Sequence, residues 1–285
     1  MTDCAATAPT VRDLVNALDE RYPRGWAEPW DAVGLILGDF ERTVGTVLCV
    51  VDCVPETVDQ ALAVGAGLIV AHHPLLLKPV SSVAPDTYKG RIVHRLIRAD
   101  IALYAAHTNA DIANPGVSDA LAARLGLRKL RPLVPAQGAA EGGGRGIGRI
   151  GELPEPMVLA EFTGLCARTL PATAAGVRAA GDPERPVRTV AVCGGAGDGF
   201  LAAAAAVGVD AYLCADLRHH PASEHLAAGG PALLDVAHWA SERPWLDEVA
   251  AWLRSRFPID AIVSDLDTDP WTVHAVSPAE KELVQ

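Results

Sequence analysis

An α/β fold built from two similar units is what this sequence predicts, and three observations carry the prediction. Short apolar runs of strand length alternate with helix-length stretches along most of the chain, the pattern of βαβ units with parallel strands. The order strand, helix, glycine, strand occurs twice, over 44–71 and over 187–215. Each copy also carries histidines where its strands end. The first has Ala71-His72-His73-Pro74 and later His107, the second His219-His220-Pro221 and later His238.

The elements of the first unit follow in order. Val11, Leu14, Val15 and Leu18 fall at helical spacing behind Pro9-Thr10, so 10–21 reads as a helix after a loose tail over 1–9. A loop covers 23–29, and Trp30-Asp31-Ala32-Val33-Gly34-Leu35-Ile36-Leu37-Gly38 reads as a turn running into a strand. The run 44–51 is a second strand ending at Asp52. A helix over 55–64 carries Pro55 in its first turn and Gly65 beyond its end. The run 67–71 is a buried strand, and Pro74 supports its ending at the histidine pair. After a polar loop over 78–89, a helix over 90–99 and a strand over 101–106 lead to His107-Thr108-Asn109-Ala110-Asp111. A helix over 116–125 closes the unit.

The stretch 132–151 is rich in Gly, Pro and Ala and reads as a linker. It places a boundary between an N-terminal lobe, 10–127, and a C-terminal lobe, 128–285. Segments 157–168 and 170–180 read as helical or mixed, and 187–193 as a strand. The glycine loop 194–199 follows. It lacks the Gly-Lys-Ser/Thr of a phosphate-binding loop and the glycine spacing of a dinucleotide site, so it reads as a tight turn. A helix over 200–207, a strand over 210–215, a helix over 223–228 and a strand over 232–237 lead to His238-Trp239-Ala240-Ser241-Glu242. A helix over 245–257 and a final strand and tail over 258–273 complete the chain. The matching order of elements, with His-His-Pro in both copies and Ala-His followed four positions on by a carboxylate, reads as an internal duplication.

Bulk properties bound the function. Half of the 285 residues are hydrophobic and only 5% aromatic, so the core is mostly Ala, Val and Leu. A net charge of −11 argues against nucleic-acid binding by bulk electrostatics. No apolar run reaches transmembrane length, and Met1-Thr2-Asp3-Cys4 begins no signal peptide, so a soluble, cytoplasmic protein with no membrane partner is expected. The six cysteines, at 4, 49, 53, 166, 193 and 214, show no C-x-x-C spacing and read as small buried hydrophobes.

The histidines carry the chemistry. Of nine, His72, His73, His107, His219, His220 and His238 fall at strand ends. Neutral imidazole is a common metal ligand, and carboxylates add hard oxygen donors. A histidine and a carboxylate at i, i+4 share one face of a helical turn, so His238 with Glu242 and His107 with Asp111 can each reach one ion. Several histidines and carboxylates exceed what one tetrahedral ion takes and suit a two-metal site. Asp52 reads as a supporting group or base, or as a simple strand-end turn residue. Asp216 and Arg218 are weaker candidates, and Cys214 reads as core.

The blocks Trp30-Asp31-Ala32-Val33-Gly34-Leu35, Ala71-His72-His73-Pro74-Leu75, His107-Thr108-Asn109-Ala110-Asp111 and His238-Trp239-Ala240-Ser241-Glu242 resemble the signature blocks of the GTP cyclohydrolase 1 type 2 homologue family, also called the Nif-three-like family. The resemblance runs from the first helix to Thr268-Asp269-Pro270-Trp271-Thr272. It implies a two-lobed α/β fold with a dinuclear metal centre in the cleft between lobes, and a toroidal homohexamer. It carries the metal-ligand role onto His72, His73, Asp111, His238 and Glu242, with Asp111 or Glu242 able to bridge. His107, His219 and His220 then stand behind the ligands or in the cleft, beside Asp52. Two departures stand out: Ala32 where the family often has Asn, and a segment 128–186 too short for the domain that longer members insert mid-chain. The expected function is a metal-dependent hydrolase holding two divalent ions (Zn, Fe or Mn) and acting on a nucleotide-like or other small substrate. The rival expectation is a non-catalytic metal-handling or scaffold protein forming a ring.

Overall fold

Alternating parallel strands and helices assemble into two sheets in a computed structural model that describes residues 8–138 and 144–275. Residues 1–7 of the tail expected over 1–9, with Cys4, and the centre of the Gly-rich stretch, 139–143, lie outside the described residues.

The first half runs α1 (Val11–Arg21), β1 (Gly34–Leu37), β2 (Thr46–Val50), α2 (Pro55–Ala63), β3 (Leu68–Ala71), α3 (Tyr88–Arg98), β4 (Ala102–Ala105), α4 (Thr108–Asp111) and α5 (Val117–Arg124). Local chemistry explains the boundaries. Thr10 caps α1 through a reciprocal box, its hydroxyl accepting from Asp13 N while the Asp13 carboxylate accepts from Thr10 N. Pro55 opens α2, where no backbone donor is required. The second half runs β5 (Arg128–Pro135), β6 (Gly146–Val158), α6 (Leu159–Thr169), β7 (Val177–Ala180), β8 (Pro186–Ala196), α7 (Leu201–Val207), β9 (Ala211–Ala215), α8 (His219–Ala227), β10 (Ala232–Val236), α9 (His238–Arg256) and β11 (Asp260–Val263).

The first sheet has the order β1-β4-β3-β2-β11 and the second β5-β6-β8-β9-β10-β7. Within them lies one shared pattern. β2, β3 and β4 are parallel neighbours with β1 antiparallel on the β4 edge; β8, β9 and β10 are parallel neighbours with β7 antiparallel on the β10 edge. A helix precedes the antiparallel strand in both cases, α1 and α6. Glycines in left-handed geometry, Gly65 and Gly208, close α2 and α7 alike. The two halves thus share one order of elements and one pairing pattern.

Three segments differ from the sequence reading. The stretch read as a linker is strand at both ends. β5 and β6 pair antiparallel, and Pro132 and Pro135 sit on edge strand β5, where a missing donor is tolerated. β11 pairs parallel with β2, so the end of the chain returns to the first sheet although it falls in the range 128–285. The helix expected over 245–257 begins at His238 and runs through Pro244.

Both faces of each sheet are covered. In the first sheet, α1 and α9 pack on one face with Val47, Cys49, Leu68 and Tyr104, while α2 and α3 cover Leu48, Ile69 and Leu103 on the other. In the second, Phe162 of α6 and Leu121 of α5 cover Val190 and Leu213, and α7 covers Ala191 and Tyr212. α5 joins the two cores, with Val117 in one and Leu121 in the other. Trp245 of α9 is fully buried, donates from Nε1 to the Tyr22 hydroxyl at 3.1 Å and lies 5.3 Å, ring to ring, from His72. Cys49, Cys53, Cys166, Cys193 and Cys214 are buried free thiols, as expected of small core residues. Among the described residues no helix is long and apolar enough to cross a membrane.

Candidate metal centre

The carboxyl ends of parallel strands from both sheets meet at one place, where open α/β sheets commonly bind ligands. The end of β3 delivers His72 and His73. Two residues beyond β4 stands His107, and α4 brings Asp111. The start of α9 brings His238 and, one turn on, Glu242.

Four imidazoles lie side by side. Ring centroids are 5.0 Å apart for His72 and His73, 5.2 Å for His72 and His107, 5.5 Å for His73 and His107, and 5.2 Å for His73 and His238. Nδ1 of each is tied to a fixed acceptor. His72 lies 2.8 Å from the Ala106 carbonyl, His73 2.7 Å from Asp52 Oδ1, His107 2.9 Å from Asp31 Oδ1 and His238 2.7 Å from Asp216 Oδ2. An acceptor at Nδ1 places a hydrogen there and leaves Nε2 as the position that a proton or a metal ion takes.

Three of those Nε2 atoms face Glu242: His72 at 3.4 Å and His238 at 3.0 Å from Oε1, and His73 at 3.1 Å from Oε2. Asp111 Oδ1 lies 3.8 Å from Nε2 of His72. Two buried polar atoms here lack a hydrogen-bond partner, His72 Nε2 and Glu242 Oε2. Orphaned buried polar atoms are costly, and a cation between these donors satisfies both. Two sets of donor atoms fall within 4.8 Å of one another, His72 with His73 and His107, and His73 with His238 and Glu242. Inward lone pairs, outward anchored nitrogens and mixed N and O donors fit a divalent transition metal.

The electrostatics agree. Burial alone would raise Glu242, but His73, His238 and His72 outweigh it and hold its carboxyl well below the usual range. Burial favours neutral imidazoles, yet Glu242 and Asp52 push His73 up to about 10, and Glu242 and Asp216 push His238 up to about 11. His72 moves up as well, with Glu242 and Asp111 outweighing its burial. Burial raises Asp111. The buried Asp31 is lowered instead, because hydrogen bonds from His107 and Thr108 exceed the cost of its burial. This balance draws cations to the cluster, and a metal ion competes with those protons for the same lone pairs.

Gly195, in the glycine loop, completes the floor. Its φ is +71°, and a Cβ there would stand 2.4 Å from Glu242 Oε1 and 3.1 Å from His238 Nε2. Its N–H donates to Ser241 Oγ at 2.8 Å. The loop is thus a close approach of backbone to the donor cluster. A cleft of about 850 Å³ opens from the cluster, walled by Asp52, His73, His107, Asp216, His238 and Trp271 among others.

The structure brings His72, His73, His107, Asp111, His238 and Glu242 together, with Asp52 behind His73. It does not bring in His219 and His220. Both are exposed on the first turn of α8, and His219 lines a neighbouring groove of about 460 Å³. β9 ends at Ala215, so the position after the strand, where the first half has His72, holds Asp216. Pro221 sits in the first turn of α8 and does not mark a strand end. Asp31 was not singled out in the sequence. Its signal is Trp30-Asp31, whose carboxylate crosses 76 positions to His107 and also accepts from Thr108 N and Ala32 N.

Residues 9–270 match the family described as Duf34/NIF3 (NGG1p interacting factor 3). A Streptomyces coelicolor protein called GTP cyclohydrolase 1 type 2 homolog is 52% identical over 274 residues, covering 94% of this chain and 96% of its own. A Mycobacterium tuberculosis protein of the same name is 38% identical, covering 92% of this chain and 97% of its own. That alignment spans 368 positions, so this relative carries residues without counterpart here. Among solved structures, a Bacillus cereus protein related to NIF3 superposes with a TM-score of 0.86 at 25% identity, covering 94% of this chain and all of its own. A Staphylococcus aureus protein does so at 0.83 and 28%, with 94% and 100% covered.

Proposed function

The chain belongs to the Duf34/NIF3 family, and from that premise we propose that it is a dinuclear metal protein acting as a metal-dependent hydrolase on a small, nucleotide-like substrate. The observation that carries the proposal is the set of four imidazoles anchored at Nδ1, three of them turned onto the buried Glu242. His72 and Asp111 would hold one ion, His73 and His238 the other, with Glu242 shared. When bound, two ions drawn from Zn, Mn or Fe supply Lewis-acid activation of water and of the substrate's electrophilic atom.

The chain's own residues do the rest. The 850 Å³ cleft has the size of a small-molecule site. Trp271 lines it while 69% exposed, a flat surface for a planar group. Arg178, ion-paired to Asp235, adds a positive group on the same cleft. His107 is not needed as a ligand in this reading. Asp31 holds its Nδ1, leaving Nε2 to accept or return a proton at the cleft wall.

Metal analysis of the purified full chain is the test, with about two ions per chain expected and a clear loss in His73→Ala and Glu242→Ala. Unchanged metal content in both variants sinks the site. Two retained ions without turnover of any nucleotide or phosphoester on a panel would replace hydrolysis by the metal-handling role. A toroidal homohexamer in the cytoplasm belongs to the same proposal and is supported by the family resemblance. Light scattering that returned a monomer mass would remove the ring.

A further inference from the structure

Two carboxylates, one at a strand end of each sheet, grip the ligand histidines from behind. Asp52 follows β2; its Oδ1 lies 2.7 Å from Nδ1 of His73, and its Oδ2 accepts the Thr268 hydroxyl. Asp216 follows β9, and its Oδ2 lies 2.7 Å from Nδ1 of His238. The histidines so held present Nε2 to the two oxygens of one carboxylate, His73 to Glu242 Oε2 and His238 to Glu242 Oε1. Asp216 adopts φ +58°, a left-handed conformation that costs an L side chain energy, at the position where its carboxylate meets His238. His72 differs: the Ala106 carbonyl holds it, and no side-chain substitution removes that acceptor.

We propose that Asp52 and Asp216 are the positioning residues of the metal centre, each locking its histidine in the tautomer with hydrogen on Nδ1 and the lone pair of Nε2 turned toward Glu242. Neither carboxylate need touch an ion. An imidazole without its partner spends part of its time rotated or in the other tautomer, and each such state has lost a donor. The proposal rests on the reading of the cluster as a metal centre.

Zinc titration of the full chain against a chromophoric chelator tests it, with Asp52→Asn and Asp216→Asn beside the parent. Each variant is expected to bind zinc roughly 10- to 100-fold more weakly. Nitrogen-15 spectra of the zinc-loaded protein should show His73 or His238, respectively, losing its single Nδ1–H tautomer. Asp210→Asn is the control for a structural lesion, because Asp210 accepts from Arg188 N and Thr189 N and touches no histidine. It should lower the melting temperature and leave zinc affinity unchanged. Asp216 is 58% exposed, so Asp216→Asn carries the test even where Asp52→Asn folds poorly. Parental zinc affinity and an unchanged tautomer in the variants would overturn this proposal alone. A parent chain that binds no zinc would overturn the metal-centre reading as well.

Discussion

The two sheets end their matching strands in different chemistry. The middle parallel strand of the first sheet, β3, ends in two donors, His72 and His73; its counterpart β9 ends in Asp216, which supports His238. The outer strands run the other way. Beyond β2 stands the supporting Asp52, while β8 ends in glycines that let Glu242 and His238 come close. Only after β4 and β10 do the halves agree, each giving a histidine and a carboxylate four residues on. Even there the setting differs. Asp111 ends a four-residue helix with its side chain 22% exposed, whereas Glu242 lies near the start of a nineteen-residue helix and is 3% exposed. A site at the join of two similar units needs donors from one and supports from the other, so equivalent positions take complementary roles.

The largest expected effect breaks the apparent equality of Asp111 and Glu242. Glu242 faces three imidazoles and Asp111 only His72 within 4 Å. Glu242→Ala should therefore lose metal from the whole centre, and Asp111→Ala from one side of it. Elemental analysis of the two variants decides; equal losses would mean that the two carboxylates share the ions evenly. Gly195→Ala should come next. It places a methyl 2.4 Å from Glu242 Oε1 and forces a left-handed φ on alanine, a backbone cost of about 1–2 kcal/mol. Gly199→Ala in the same loop meets nothing within 4 Å and should retain zinc. Equal zinc affinity in the two variants would show that Glu242 can yield without harm.

Much of this was legible in the sequence, because period-2 and period-3.6 patterns and glycine-closed helices register local structure directly. The βαβ order, the histidines at strand ends and the carboxylates four residues beyond His107 and His238 were readable from local pattern, which offered His219 and His220 equally; the set His72, His73, Asp111, His238 and Glu242 came from the family resemblance. What was not readable depended on where elements begin. His219-His220-Pro221 copies the letters of His72-His73-Pro74, yet it opens a helix, and helix starts tolerate proline as strand ends do. The helix read over 245–257 begins at His238 and runs through Pro244. Asp31 and the return of β11 to the first sheet rest on contacts across 76 or more positions, which no local pattern records.

One property should be common to both halves. Burial, the largest influence on His73 and His238, lowers both, but Glu242 with Asp52 or Asp216 pushes them up to about 10 and about 11. Both values exceed the ~6.5 of an unfolded histidine. In the metal-free chain their stabilising contribution is thus fully present below pH ~6.5 and is lost as pH rises through 10 to 11. Zinc takes neutral imidazoles, so loading at pH 7 should release about two protons from this pair, and affinity should rise with pH. Calorimetry in buffers of differing ionisation enthalpy measures the count. Zinc binding without proton release would contradict the protonated state of both.

The smallest expected effect separates the two supports. Asp52 is itself held, by the Thr268 hydroxyl at its second oxygen, and is 27% exposed; Asp216, 58% exposed, has His238 as its recorded side-chain partner. Thr268→Val keeps the shape and removes that hydrogen bond, a loss of about 0.5–1.5 kcal/mol. Asp52 keeps its charge and its 2.7 Å contact with His73, so zinc should bind less than about tenfold more weakly, well short of the loss in Asp52→Asn. Zinc titration of the two variants side by side is the measurement. A Thr268→Val loss as large as that of Asp52→Asn would mean that His73 is placed by the segment after β11 acting through Asp52, and that the first sheet's support depends on the end of the chain as the second sheet's does not.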